Sequence, residues 1–281
     1  DFGEVIDISD KTTLNLSIGC CSYPEQAIEF NTLVNYSEFA LYEATANRRS
    51  VINWFNESNY LREKDSYKNA QILNRLISDN LFTYHLQPIV DAKTGDIFGY
   101  EALMRINADD IDMSPLQILR IADEQNNLYS IEKSTFFIFL KLLSENQHFF
   151  SNRKLFINCL ADNLLTDEEF NELYLTYGEL FEKIVVEINE RSQLNDESIE
   201  IIKKRCKFSG ARLAIDDYGA GYSNSANLLH YAPEYIKIDR SLICDIQNDL
   251  KKQQLFASIV DFCHANHLMS LAEGVETLAE M

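Results

Sequence analysis

Asp216 and Asp217 close the apolar run from Ala211 to Ile215 and open a small-residue turn, Gly219-Ala220-Gly221-Tyr222-Ser223. A short apolar run bounded in this way predicts a strand that delivers carboxylates at its C-terminal end. The arrangement recurs: Glu101 follows Ile97-Phe98-Gly99-Tyr100, Asn158 follows Leu155-Phe156-Ile157, Glu187 follows Ile184-Val185-Val186, and Glu273 follows the run Leu268 to Ala272. In a barrel of alternating strands and helices the C-terminal strand ends converge on one face, so residues remote in sequence meet there. Several carboxylates and one amide offer only oxygen, which hard divalent cations such as Mg²⁺ and Mn²⁺ prefer. The chemistry implied is metal-assisted attack on a phosphate. One acid at one strand end is ordinary loop polarity; the repeated, ordered set carries the reading.

Positioning such a set requires a large fold. The chain has 281 residues, 46% of them hydrophobic, enough for an α/β barrel with a small companion, and this excludes a disordered chain. A net charge of −19, from 44 acidic and 25 basic residues, argues against a nucleic acid polymer held through counterion release. A small anionic substrate is compatible, provided metals and a few cations neutralise it locally. The cysteines, at 20, 21, 159, 206, 244 and 263, show no CxxC spacing and sit mostly in apolar segments, so buried reduced thiols are expected. No run approaches the roughly 18 uncharged apolar residues of a membrane span, and no signal-peptide pattern opens the chain. The expectation is a cytoplasmic location with no membrane segment within this chain, a membrane or sensory region upstream being left open. The five histidines lie away from the predicted ligand positions.

Leu14, Leu16 and Ile18 alternate with polar or small residues, which predicts a half-buried strand; an apolar helical face from Leu33 to Ala44 and a short strand at 51–55 follow. Residues 1–58 are too little for a complete domain. Residues 59–80 read as a charged connecting helix with Ile72, Leu73, Leu76 and Ile77 on one side. From Leu81 onward strands are predicted at 81–89, 97–104, 154–160, 183–188, 211–217, 235–239 and 268–273, and helices at 115–126, 130–146, 166–180, 196–208, 222–230 and 250–266. Strand then helix, repeated, implies a parallel sheet. The first two of these strands are separated only by Asp91-Ala92-Lys93-Thr94-Gly95-Asp96, too short for a crossover helix, so an antiparallel pair is expected there. Within the strand at 235–239, Lys237 should point into the barrel while Ile236 and Ile238 point out to the helices, and an inward ammonium needs carboxylate partners.

The segment QPIVDAKTGDIFGYEALMR, containing Glu101-Ala102-Leu103, resembles the signature of EAL domains, which hydrolyse the bacterial second messenger cyclic di-GMP. FINCL around Asn158, VVEINE from Val185 to Glu190, AIDDYGAGYSN from Ala214 to Asn224, IKIDRS from Ile236 to Ser241 and AEGVET from Ala272 to Thr277 match further blocks in the family's order. The N-terminal LNLSIGCCSYP and SEFALYEATANRRS resemble the closing strand and helix of a degenerate GGDEF domain, the diguanylate cyclase module.

The resemblance implies a TIM-like (β/α)8 barrel of EAL type in residues 81–281, with an antiparallel first strand. It implies that Glu101, Asn158, Glu187 and Asp216 ligate metal, that Asp216 bridges to a second ion held by Asp217 and Asp239, and that Lys237 and Glu273 serve catalysis. Two Mg²⁺ or Mn²⁺ ions and the substrate cyclic di-GMP follow, the product being linear pGpG. Gln87 and Arg105 resemble substrate-contacting positions, although Arg105 also suits a rim ion pair. Gly219, Gly221 and Ser223 resemble a mobile loop anchored by Glu190 that couples homodimerisation to metal binding; Ala220, Asn224 and Asn189 depart from that pattern. Family members continue past AEGVET with a helix and an eighth strand, so the last strand is expected to be missing here. A non-catalytic module that senses cyclic di-GMP or scaffolds a partner stays open as the alternative, as does an unrelated metal-dependent barrel enzyme.

Overall fold

A computed structural model describes residues 6–9, 12–14, 16–46, 51–150, 153–189, 196–220, 228 and 230–281. The chain divides into two compact units, Asp1–Asn74 and Arg75–Met281, the division falling inside the helix expected to connect them.

In the first unit, strands β1 (Ile6–Ser9) and β2 (Thr12–Leu14) pair antiparallel, and β3 (Ile18–Cys20) pairs parallel with β4 (Ile52–Trp54). The alternation of Leu14, Leu16 and Ile18 therefore does not form one strand: β2 and β3 separate there and join different ladders. Helix α1 (Phe30–Ala46) lies against β3 so closely that a Cβ on Gly19 would stand 2.1 Å from the Ser37 carbonyl oxygen. Phe39, Ala40, Phe55 and Tyr67 form the core, and Tyr36 stacks on Phe55 with ring centroids 3.8 Å apart. Helix α2 (Glu57–Ser78) follows.

The second unit is a curled sheet of seven strands in the order β11-β10-β9-β8-β7-β6-β5. These are β5 (Phe82–Val90), β6 (Ile97–Ile106), β7 (Lys154–Asn158), β8 (Ile184–Asn189), β9 (Arg212–Tyr218), β10 (Tyr235–Ile238) and β11 (Met269–Ala272). β5 and β6 run antiparallel, from Phe82↔Ile106 to Val90↔Ile97, through a turn in which Asp91 Oδ1 accepts from the Lys93 and Thr94 amides at 2.9 Å. Every other ladder is parallel.

The crossovers are α3 (Pro115–Glu124), α4 (Leu128–Glu145), α5 (Gln147–Phe150), α6 (Asp167–Tyr177), α7 (Asp196–Ser209), α8 (Arg240–Ile243) and α9 (Leu250–Ala265). Ser114 with Gln117, and Thr166 with Glu169, start α3 and α6 by reciprocal capping, while Asp249 caps α9 through the Lys251 and Lys252 amides. The helix expected at 222–230 falls outside the described residues except for Leu228 and His230. No helix among the described residues is long and apolar enough to cross a membrane.

The sheet buries both faces, as parallel sheets do. Ile184, Val186 and Ile188 join the core beneath the helices, whereas Val185, between them, joins Phe156, Ala214 and Tyr235 on the other face. β7 and β10 are three ladders apart, yet the Phe156 and Tyr235 rings meet at 5.2 Å. Only curvature brings them together, so this second cluster is the barrel interior. The thiol expectation holds only for Cys263, which is buried; the other five cysteines are half-buried, and all six are free.

Candidate active site

Five candidate residues stand two positions beyond a residue of the interior cluster: Asn158 after Phe156, Glu187 after Val185, Asp216 after Ala214, Lys237 after Tyr235, and Glu273 after Leu271. With a strand period of two, the same face that packs the barrel lower down presents these polar groups at the C-terminal mouth. Glu101 joins them from β6, opposite Gln87 on β5.

Lys237 is the centre of the group. Its Nζ lies 2.7 Å from Glu187 Oε1, 2.8 Å from Asp216 Oδ1, 2.8 Å from Glu273 Oε1 and 3.3 Å from Glu101 Oε1. Burial by itself disfavours the ammonium, but the carboxylates of Glu187, Asp216, Glu101 and Glu273 outweigh it and raise its pKa above the ordinary lysine value. Burial pushes the Glu187 carboxyl well above the usual range, against the pull of Lys237 and with the help of Glu101 and Asp216. Burial likewise carries Glu273 up to about 7, with Lys237 again opposing. The outward neighbours Ile236 and Ile238 sit in the core beneath the helices, as the alternation predicts.

Asp216 and Asp217 are consecutive, and in a regular strand they would face opposite ways. β9 bulges at this point: Ile215 pairs with Ile236 and Tyr218 with Ile238, so two residues oppose the single Lys237. Asp217 takes a left-handed conformation at φ 56°, which turns it back toward the mouth. Carboxylate oxygens of Asp216, Asp217 and Glu273 consequently lie within 4.8 Å of one another. Asn189 Nδ2 donates to Asp217 Oδ2 and holds it there. Burial, followed by the neighbouring Asp216 charge, raises the Asp217 pKa.

This donor set is all oxygen, and Glu187 Oε2 is buried without a hydrogen-bond partner among the described residues. A buried carboxylate oxygen with no donor suits a cation ligand, so the residues fit a hard divalent ion. Asp239 is less free than the sequence implies. Its Oδ1 accepts from the Ser241 amide at 2.9 Å and caps α8, although its charge still contributes to the rise at Asp217.

A cleft of about 460 Å³ is lined by Arg105, Asn158, Asn189, Tyr84, Glu132 and Thr135 among others; Asn158 and Asn189 are its share of the site, and none of the carboxylates around Lys237 lines it. The cleft is ligand-sized. Arg105 is half-buried, with Nη1 donating to the Met104 carbonyl at 2.8 Å. Gln87 is exposed on β5. Gly219 follows Asp217 at φ 96°, whereas Gly221, Ser223, Glu190 and Asn224 lie outside the described residues. Asn189, read from the sequence only as a departure from the loop pattern, is the partner of Asp217, and Glu132, a fully buried acid on α4 that accepts from the Leu160 amide at 2.9 Å, was not singled out at all. The signal for Glu132 was present, since it stands three and seven residues before the buried Thr135 and Phe139 and so on the core face of its helix.

The cyclic di-GMP phosphodiesterase NbdA of Pseudomonas aeruginosa is 25% identical over 284 residues, covering 98% of this chain and 36% of NbdA. The chain thus spans about a third of the length of the curated relatives it matches. Klebsiella pneumoniae BlrP1, solved in a complex with manganese and cyclic di-GMP, is 27% identical with a TM-score of 0.63, over 71% of this chain and 51% of BlrP1. The Xanthomonas citri FimX EAL domain, solved with cyclic di-GMP, has a TM-score of 0.66 over 79% of this chain and 88% of its own, and at 18% identity it speaks for the fold alone. The family model of the EAL domain matches residues 70–281, most of the chain and all of the curled sheet with its carboxylate mouth, and the chain therefore belongs to the EAL domain family.

Proposed function

We propose that this chain hydrolyses one phosphodiester of cyclic di-GMP to linear pGpG. The observation that carries the reading is the convergence of Glu101, Glu187, Asp216 and Glu273 on Lys237, with Asp217 turned into the same mouth. Relatives named as cyclic di-GMP phosphodiesterases support it. Glu101, Asn158, Glu187, Asp216, Asp217 and Asp239 would hold two Mg²⁺ or Mn²⁺ ions. When bound, such a pair acidifies water and neutralises charge on the phosphate.

The chain's own groups supply the rest. Arg105, with Gln87 at the rim, grips non-bridging phosphate oxygens and sets the phosphorus in line with the attacking water. Lys237 Nζ donates to that water and Glu273 Oε1 takes its proton; the new P–O bond forms as the bond to the ribose oxygen breaks, and that oxygen leaves as a hydroxyl by taking a proton from solvent.

The same reading assigns residues 1–58 to the end of a GGDEF-like domain, 59–80 to a linker and 81–281 to the EAL barrel. It assigns the loop of Gly219, Gly221 and Ser223, with Glu190, to a homodimer contact, and the protein to the cytoplasm. Purified protein incubated with cyclic di-GMP and Mg²⁺ or Mn²⁺ should release the linear dinucleotide, followed by chromatography. Tight binding with no product over hours would overturn hydrolysis in favour of a sensor module.

A further inference from the structure

Four carboxylates on separate segments of the barrel direct one oxygen each at a single ammonium, that of Lys237, at 2.7 to 3.3 Å. The side chains of Glu187 and Lys237 are 0% and 2% exposed, so water screens the centre of this group poorly. Like charges held so close in a low-dielectric interior repel one another and resist burial, and a counter-charge at their centre is what offsets both effects. Three of the four, Glu101, Glu187 and Asp216, are also carboxylates assigned above to divalent ions, and each turns one oxygen toward Lys237.

We infer that Lys237 is the resident counter-ion of the carboxylate cluster: it gathers the carboxylates in place for an incoming divalent cation and competes with that cation for their charge. This rests on the reading of those carboxylates as ligands. It gives Lys237 a positioning task separate from its contact with the attacking water, and one that shows without substrate. Ammonium and divalent ion are then alternative ways of stabilising one cluster, so removing the first should deepen dependence on the second.

The test is Lys237→Met, which keeps the length and apolar stem of the side chain and removes the charge. Without metal, its thermal midpoint should fall by roughly 10 °C, because uncompensated buried charge is strongly destabilising. Saturating Mn²⁺ should restore most of that loss while raising the wild-type midpoint by only a few degrees, and calorimetric titration should show Mn²⁺ bound roughly tenfold more tightly by the variant. An unchanged metal-free midpoint, or equal Mn²⁺ shifts in both proteins, overturns the inference.

If Lys237→Met does not accumulate as folded protein, Lys237→Met combined with Glu187→Gln is compared with it during refolding from denaturant. Better recovery of the double variant supports the counter-ion, since one repelling charge is gone, and no improvement overturns it. Failure of both wild type and variant to take up Mn²⁺ would instead sink the ligand assignment, and the metal-free midpoints would still judge the counter-ion.

Discussion

Glu187 on β8 and Lys237 on β10 are separated by the whole of β9, yet their charged atoms meet at 2.7 Å. In a flat sheet, backbones two strands apart are about 10 Å from one another, a gap that a lysine and a glutamate side chain span between them. Glu101, on β6, reaches the same ammonium across four ladders. The site is therefore a product of curvature, and its variants should report on charge placed inside a closed mouth.

Asp216→Asn should weaken Mn²⁺ binding and hydrolysis together. The substitution keeps the shape of a residue 2.8 Å from Lys237 Nζ and beside Asp217 but removes its charge. A loss of at least about 100-fold in metal affinity is expected, with activity falling in parallel. Calorimetry and product chromatography on one preparation check it; unchanged affinity with lost turnover would place Asp216 outside the ligand set.

Calcium should bind to the wild type and support little turnover. Its larger radius and looser coordination hold an attacking water less strictly than Mg²⁺ or Mn²⁺. The expected outcome is competitive inhibition of Mn²⁺-dependent hydrolysis by Ca²⁺, with thermal stabilisation by either ion. Equal turnover in Ca²⁺ would count against water positioning as the controlling step.

Glu132 should make the native state less stable as pH rises. Burial pushes its carboxyl from the ordinary 4.5 up to about 7, opposed by the Leu160 amide and the Cys159 thiol, while Tyr84 feels its charge from β5. A raised acid means that the folded state holds its proton where the unfolded state has lost it. Stability from this group is thus fully present below about pH 4.5 and declines up to and through pH 7, by about 3 kcal/mol in all. Glu132→Gln keeps the acceptor for Leu160 and removes the titration, so denaturant unfolding at pH 5 and pH 8 should differ less in the variant than in the wild type.

Gly219→Ala should destabilise the mouth. The residue sits at φ 96°, and an added Cβ would lie 2.5 Å from Leu242 Cδ1. Strain and displacement of Leu242 together should cost about 2 kcal/mol. Because Gly219 is two residues after Asp217, metal affinity should drop as well, and a drop in thermal midpoint without any change in Mn²⁺ binding would separate the loop from the site.

Much of this protein was legible along the chain. The strands of the second unit were placed within a few residues, because runs such as Leu155–Asn158 and Ile184–Glu187 are short continuous apolar stretches closed by a polar residue, which is a local signal. The short turn at 91–96 likewise announced the antiparallel pairing of β5 with β6, since no crossover fits in it. In the first unit the same pattern misled: Leu14, Leu16 and Ile18 alternate, but pairing partners divide them between two ladders.

By itself the sequence determined which side chains share a strand face, because alternation is a property of each strand alone; hence Asn158, Glu187, Asp216, Lys237 and Glu273 each follow an interior apolar residue by two positions. The tertiary structure decided what those faces meet. Sheet curvature assembled four carboxylates around Lys237. A bulge against β10 returned Asp217 to the face of Asp216. The start of α8 engaged Asp239 as a cap, and the packing of α4 buried Glu132. These outcomes depend on register and distance between segments remote in sequence, which no local pattern encodes.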